Sequence, residues 1–169
     1  KRTWKKTLDR MESQESGLAS EPKDWLEEAR DPATPSERLH QLTHLTSGRF
    51  ASKKQRRELH LAIAAYPNTS TQTLREMIPT SEPDVVLVDT IAKNPGRLLA
   101  RLTGDPVSFE LDAAIASSTD NPDVLRELAM STDETVRVAV GLNEYTPSDI
   151  REALTMDPSE EVVSAAVVW

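Results

Sequence analysis

The chain has 169 residues, of which 37% are hydrophobic, 28% are charged and only 4% are aromatic, so its core must be built from Leu, Ile, Val and Ala. It contains no cysteine, which excludes disulfides, thiol catalysis, cysteine-ligated zinc and iron–sulfur clusters. No stretch approaches the ~18 consecutive apolar residues of a membrane helix. We therefore expect no membrane contact from this segment, and a cytoplasmic location fits the composition.

The formal net charge of −8 is unevenly distributed along the chain. Residues 1–60 hold 13 basic and 10 acidic side chains, a net +3, whereas residues 61–169 hold 7 and 18, a net −11. A segment this acidic repels a phosphate backbone, which argues against nucleic acid as its ligand.

Residues 1–28 precede the repeated part of the chain. TWKKTLDRME predicts a short helix, SQESGLAS a flexible link and EPKDWLEEAR a second helix. A terminal element of a repeat array must cover an otherwise open core edge, and we expect Trp4 and Trp25 to serve there.

Two interleaved series of helix-start signals follow. A helix start favours Ser, Thr, Asn or Asp at the cap, proline next, and an acid or Gln soon after. The A series begins at Thr34, Thr69, Asn94, Asn121 and Thr146, and from Thr69 its separations are 25, 27 and 25 residues. The B series begins at Ser81, Asp105, Ser131 and Asp157, with separations of 24, 26 and 26. Two series with one period of about 25 residues indicate an internal repeat.

Apolar pairs follow both series and predict two short elements per repeat, each with one apolar face that only a neighbour can bury. The A pairs are Leu39/Leu42, Leu74/Met77, Leu99/Leu102, Leu125/Leu128 and Ile150/Ala153. The B pairs are Val86/Ile91, Leu111/Ile115, Val136/Val140 and Val162/Ala166. About ten extra residues fall in 44–55, after which a B helix is expected to start at Ser52.

The B segments are open to two interpretations. VVLVDTIA, VRVAV and EVVSAAVVW are rich in β-branched residues, which favour strands. Their helix caps and Ala-rich ends favour helix instead, and the asparagine-containing signature of ordinary leucine-rich repeats is missing. We therefore expect helices, of which one per repeat could be 3₁₀.

Five segments carry a resemblance to a known family: DPATPSERLHQL (31–42), YPNTSTQTLREM (66–77), NPDVLRELA (121–129), DETVRVAV (133–140) and DPSEEVVSAAV (157–167). With their short period they resemble the variant leucine-rich repeat (LRV), in its actinobacterial form with a longer loop in an N-terminal repeat. The resemblance implies an all-α, right-handed, HEAT/armadillo-like solenoid of alternating α- and 3₁₀-helices. We expect an N-terminal segment and capping helix at 1–28 and repeats at 29–65, 66–92, 93–116, 117–141 and 142–169.

Signals for chemistry are weak, and we expect no enzyme, no catalytic residue, no bound cofactor and no metal site. His40 and His44 stand at i, i+4, with Glu37 one turn earlier and His60 elsewhere, and could share a metal. A site needs a third ligand in place, however, and HExxH is not present. No nucleophile motif or Gly-rich phosphate loop is present. Most acidic residues stand at caps, where the helix dipole accounts for them.

Two sets of cations are candidates for binding a partner. The basic cluster consists of Lys53, Lys54, Arg56 and Arg57, although the solvated face of a helix is the favoured explanation for it. A polar ladder is predicted where the A helices line up: His40, Arg75, Ala100, Arg126 and Arg151, followed by Gln41, Glu76, Arg101, Glu127 and Glu152. Surface Arg–Glu pairs within such a ladder would contribute little stability each.

Three functions remain open. The first, which the resemblance favours, is a repeat scaffold that binds an unknown protein or peptide. The second is a structural or regulatory module of a longer protein, in which further sequence or a partner covers the apolar residues 167–169. The third is nucleic-acid binding through the basic segment 49–57.

Overall fold

The structure of the chain, a computed structural model, describes residues 22–45 and 52–169. Within these ranges it has eleven α-helices and no strand. They are α1 (Pro22–Arg30), α2 (Ser36–Leu45), α3 (Lys53–Ala65), α4 (Thr71–Glu76), α5 (Val85–Ala92), α6 (Pro95–Thr103), α7 (Val107–Ser118), α8 (Pro122–Leu128), α9 (Glu134–Leu142), α10 (Ser148–Leu154) and α11 (Glu160–Ala166). None of these helices is both long enough and apolar enough to span a bilayer. The expected helix TWKKTLDRME, the link SQESGLAS and Trp4 lie outside the described residues.

The three segments rich in β-branched residues form helices α5, α9 and α11, so the strand interpretation is wrong. The 3₁₀ alternation that the resemblance implies is also not found in the described ranges, where both members of each pair are α-helical. Even in short α4, the Leu74 N–H bonds to the Ser70 carbonyl, four residues back. Bonds to the third residue back, such as Ile78 N–H to Arg75 O, occur where the helix ends.

Several helix starts agree with the predicted caps. The side-chain oxygens of Asn94 and Asn121 accept N–H groups of α6 and α8, each with proline as the next residue. Ser52 starts α3 and forms a reciprocal capping box with Gln55. In the B series the caps are Asp84, Asp133 and Ser159, which lie two or three residues beyond the predicted starts.

Three threonines predicted as N-caps act on the preceding helix instead. The hydroxyls of Thr34, Thr69 and Thr146 each donate to a backbone carbonyl six residues earlier, at distances of 2.5–2.6 Å. The acceptors, Glu28, Ile63 and Val140, lie in the last turns of α1, α3 and α9, where carbonyls run out of intrahelical donors. The N-cap prediction for these threonines is therefore wrong, since each hydroxyl closes one helix rather than opening the next.

Alternate helices pack on one another in chain order. Helix α1 contacts α3, α3 contacts α5, α5 contacts α7, and α9 contacts both α7 and α11. The core they share is aliphatic, and Trp25 of α1 joins it as expected for an N-terminal cover. Its largest fully buried apolar side chains are Leu39, Leu42, Ile63, Leu74, Ile91, Leu111, Ile115, Leu125, Leu128, Val88 and Val136.

Helix α6 departs from the predicted pattern. Leu99 and Leu102, predicted as its buried pair, are 62% and 85% exposed, whereas Arg97 is fully buried. The reason is that the Arg97 guanidinium bonds to Asp112 of α7 and to the Ala92 carbonyl, which turns this face of α6 inward. Smaller departures occur at Val86, which is exposed, and in α10, where the buried partner of Ile150 is Leu154 rather than Ala153.

Two buried asparagines link successive helices of the stack. Asn94, after α5, donates from Nδ2 to the carbonyls of Ala64 and Tyr66 at the end of α3, at 2.7 and 2.9 Å. Asn143, after α9, donates to the carbonyls of Ala116 and Thr119 at the end of α7, at 2.6 and 2.8 Å. Each amide therefore satisfies orphan carbonyls at one helix end from the end of the next helix in the stack.

Candidate functional site

Two arginines of the predicted polar ladder form ion pairs with neighbouring A helices. Arg126 of α8 donates to Asp149 of α10 at 2.9 Å, with both side chains largely exposed. Arg101 of α6 lies 3.2 Å from Glu127 of α8 and 3.1 Å from Asp112. The exposed Arg126–Asp149 pair contributes little to stability, so its main effect is to make this surface polar.

The other two ladder arginines lie in different surroundings. Arg151 donates to the carbonyls of Gly141, Asn143 and Thr146 around the end of α9, and its guanidinium lies 5.9 Å from the Trp169 ring centroid. Its donors are thus largely used within the fold. Arg75 is half-buried beside a small cavity of about 250 Å³. The partner role of Arg75, Arg101, Arg126 and Arg151 stays a prediction.

The basic cluster is less cationic than its sequence suggests. Arg57 donates to Asp84 at 2.5 and 3.2 Å, and this bond holds the pKa of Asp84 below its ordinary range and raises that of Arg57. Lys53 and Lys54 are exposed, whereas Arg56 is half-buried with its Nε atom buried and without a hydrogen-bond partner. The ion pair with Asp84 leaves Lys53, Lys54 and Arg56 to carry the positive charge of the cluster.

A cavity of about 630 Å³ lies between this cluster and the ends of α2 and α4. Its walls carry cations and carboxylates together, and the imidazole of His60 lines it as well. Burial, and then the charge of Arg56, lower the pKa of His60 from its ordinary value of 6.5. The charged and titratable residues of the lining are His44, Lys53, Arg56, Arg57, His60, Glu76, Glu82 and Asp84.

At the edge of this cavity two helices bring together His40, His44 and Glu76. The histidines lie one turn apart on α2, with their Nε2 atoms 3.3 Å apart and their ring centroids 4.7 Å apart. Glu76, the last residue of α4, places Oε2 3.7 Å from His44 Nε2 and 3.7 Å from His40 Nδ1. One candidate ligand atom from each residue lies within 4.8 Å of the others.

Neighbouring side chains orient this cluster. His40 Nδ1 lies 3.2 Å from Thr73 Oγ1, which in turn lies 2.8 Å from the Oγ of Ser70, the cap of α4. Gln72 donates to Oε1 of Glu76 at 2.6 Å, so the other carboxylate oxygen faces the histidines. Two imidazoles and one carboxylate are thus presented by successive A helices in a fixed arrangement.

A separate, buried group of charges joins α6 to α7 and α8. Arg97 Nε donates to Asp112 Oδ1 at 2.6 Å, and neither side chain is exposed to solvent. Arg97 also donates to the Ala92 carbonyl and to Glu127, and Arg101 donates to the second Asp112 oxygen. Every charge in this group has a partner of opposite sign. Its role is therefore structural: it holds α6 against α7 and α8.

Exposed apolar side chains recur near the C-terminal ends of three A helices. Leu102, Met130 and Met156 are 85%, 84% and 86% exposed. Each follows the proline at the start of its helix: Leu102 stands 7 residues after Pro95, Met130 8 residues after Pro122, and Met156 9 residues after Pro147. We call these three side chains the apolar row.

Sequence reasoning missed Glu76 as a neighbour of His44, Asp112 as the partner of Arg97, and the apolar row. The predicted ladder did place His40 and Glu76 in adjacent rows, and that signal leads to the histidine–carboxylate cluster. Asp112 follows a leucine in a B helix and resembles any solvated acid in the sequence. The methionines stand at helix ends, where periodicity is weakest.

Comparison with protein-family models, with curated proteins and with solved structures found no match to the chain.

Proposed function

We propose that the chain is a non-catalytic, LRV-like helical-repeat scaffold, a right-handed solenoid in the cytoplasm, which binds another protein. The chain-order packing of α1, α3, α5, α7, α9 and α11 supports the repeat arrangement. So do the equivalent amide links of Asn94 and Asn143, which stand 49 residues apart, about twice the expected period. Solenoids bind partners along extended surfaces of stacked repeats.

The apolar row is the observation that carries the binding proposal. A single exposed leucine or methionine is ordinary on a protein surface, but these three recur in successive repeats, each within two residues of the end of α6, α8 or α10. Methionine is flexible and polarizable, which suits a surface that must adapt to a partner. Because residues 61–169 carry a net −11, the partner segment that fits is an amphipathic helix with apolar and basic residues.

The two alternatives have less support. Nucleic-acid binding needs free cations, yet Asp84 neutralises Arg57, and Glu76 and Glu82 share the adjoining cavity. A structural module without a partner of its own has no need for the apolar row, although it accounts for the rest of the fold equally well.

The test is capture of partners from a lysate of the source cell with three baits. These are the parent, a triple variant with Leu102→Ser, Met130→Ser and Met156→Ser, and the control Val86→Ser, which removes an exposed apolar side chain from a B helix. We expect a protein that binds the parent and the control but is reduced at least about tenfold on the triple variant. Its binding segment, mapped by cross-linking, should be basic and amphipathic.

Two outcomes contradict the proposal. Retention of the partner by the triple variant removes the apolar row as the binding surface. If a folded parent enriches no protein at all, the weight shifts to the structural-module alternative. If the triple variant retains the partner, a fourth bait with the charges of Arg75 and Arg126 reversed tells whether the polar ladder contributes to binding.

A further inference from the structure

We propose that His40, His44 and Glu76 bind a divalent transition-metal ion of the Zn²⁺ type. Imidazole nitrogens and a carboxylate oxygen are ligands that Zn²⁺ prefers, and three protein ligands plus one water complete its tetrahedral shell. The third ligand comes from α4, 32 residues beyond His44, so no local motif announces it.

The spacing of the donor atoms fits such a shell. Two ligands at about 2.0–2.1 Å from a tetrahedral Zn²⁺ lie about 3.3–3.4 Å apart. The Nε2 atoms of His40 and His44 are 3.3 Å apart, and Glu76 Oε2 is 3.7 Å from His44 Nε2. One ligand atom from each of the three residues lies within 4.8 Å of the others, so movement of the exposed Glu76 carboxylate toward the two histidines would complete the shell.

The outer contacts prepare the ligands. In the tautomer that carries its proton on Nδ1, His40 donates to Thr73 Oγ1 and leaves the lone pair of Nε2 for the metal. Gln72 holds the other oxygen of Glu76. Outer contacts of this kind fix the orientation of metal ligands and raise their affinity.

The position of the cluster allows entry and exchange. His44 is the most exposed of the three side chains, and both His44 and Glu76 line the large cavity, so the water-bearing position is open to solvent. The single carboxylate makes the site a poor one for Mg²⁺ or Ca²⁺, which require more oxygen ligands. Since α2 and α4 belong to successive helix pairs, a bound ion would join them.

The experiment is a titration of the tag-free protein, first stripped with a chelator, with Zn²⁺ by calorimetry and with Co²⁺ by visible absorption. We expect saturation at one ion per chain, a tetrahedral Co²⁺ spectrum displaced by Zn²⁺, and a higher melting temperature with Zn²⁺ than with Mg²⁺. His44→Gln and Glu76→Gln, both at exposed positions, should each weaken Zn²⁺ binding at least about tenfold.

His60→Gln is the matched control, because the chain has only three histidines and His60 lines the same cavity without belonging to the cluster. Its affinity for Zn²⁺ should equal that of the parent. Circular dichroism of each variant establishes that the helices are retained. The proposal fails if the parent shows no saturable Zn²⁺ binding, if His44→Gln and Glu76→Gln bind like the parent, or if His60→Gln loses binding equally.

Discussion

Arg97 of α6 and Asp112 of α7 form an ion pair with a 2.6 Å Nε–Oδ1 distance and no solvent exposure of either side chain. Removing charges from water is costly, and the pair persists because Arg101, Glu127 and the Ala92 carbonyl satisfy its remaining donors and acceptors. The pair also sets the rotation of α6, since it holds the arginine inward and leaves the leucines outward.

Asp112→Ala is therefore expected to destabilise the fold by about 3–5 kcal/mol, because it leaves the buried Arg97 guanidinium without its carboxylate. Urea unfolding followed by far-UV circular dichroism measures this loss. The double variant Arg97→Met with Asp112→Leu should recover most of it, since no buried charge remains unpaired. A single variant as stable as the parent would show that water or Glu127 compensates the charge in solution.

Asn143→Ala should cost about 1–3 kcal/mol, because the carbonyls of Ala116 and Thr119 lose their side-chain donor in a buried setting. Asn143→Asp should cost more, since a carboxylate cannot donate and faces both oxygens. The exposed Asn68→Ala is the control, expected within about 0.5 kcal/mol of the parent. Chemical denaturation gives all three values, and an Asp variant as stable as the Ala variant contradicts the donor role.

Gly141→Ala is expected to destabilise the packing of α9 on α11 by about 1–3 kcal/mol. A Cβ at this position would lie 2.9 Å from the Ala165 Cβ and 3.1 Å from the Ala166 nitrogen. Adding Ala165→Gly should restore part of the loss, because it removes the nearest contact but not the backbone ones. The melting temperatures of the single and double variants test this prediction. If Ala165→Gly restores none of the loss, the contact between the new Cβ and Ala165 is not the source of the strain.

Stability should decline with acid in two steps. The pKa of His60 in the fold lies below 6.5, so the unfolded chain takes up this proton first, and its effect begins as the pH falls below 6.5. The pKa values of Asp84, Asp89 and Asp157 are lowered from 3.8, chiefly by hydrogen bonds from Arg57, Lys93 and Arg137. The stability these carboxylates add is present above pH 3.8 and is lost as the pH falls through their folded values.

The measurement is the unfolding free energy of the chelator-treated protein from about pH 8 to about pH 3, with His60→Gln beside the parent. This variant should flatten the first decline and leave the second unchanged. An unchanged profile in His60→Gln would remove the cavity histidine as the source of the first decline.

Local signals in the sequence predict where the helices lie better than they predict which side chains meet between helices. The Asn-Pro starts at Asn94 and Asn121, the cap at Ser52 and the buried pairs Leu39/Leu42 and Leu125/Leu128 are confirmed, because caps and i, i+3 spacing act within one helix. Leu99/Leu102 has the same spacing yet lies at the surface. The difference arises from Asp112 of α7, which binds Arg97 and so turns the other face of α6 inward. The local sequence pattern of α6 does not contain this partner.

The candidate sites follow the same rule. The i, i+4 histidines are readable in the sequence, but their carboxylate comes from another helix, and only packing of α2 beside α4 brings it near. The threonines at Thr34, Thr69 and Thr146 have the chemistry of an N-cap, and the sequence does not tell whether the hydroxyl serves the helix behind or ahead. The basic cluster is visible as four cations, whereas the ion pair with Asp84, 27 residues beyond Arg57, is not.

The two described tryptophans lie in contrasting surroundings: Trp25 of α1 is buried, whereas Trp169 is exposed and donates its indole N–H to the Leu142 carbonyl. Their intrinsic fluorescence therefore differs in emission maximum, and with Trp4→Phe in the background each becomes a separate optical reporter once the other is replaced by Phe. Two reporters that melt together mean that the stack unfolds as one cooperative unit. Reporters that melt apart mean that nearest-neighbour contacts let one part fray before the other.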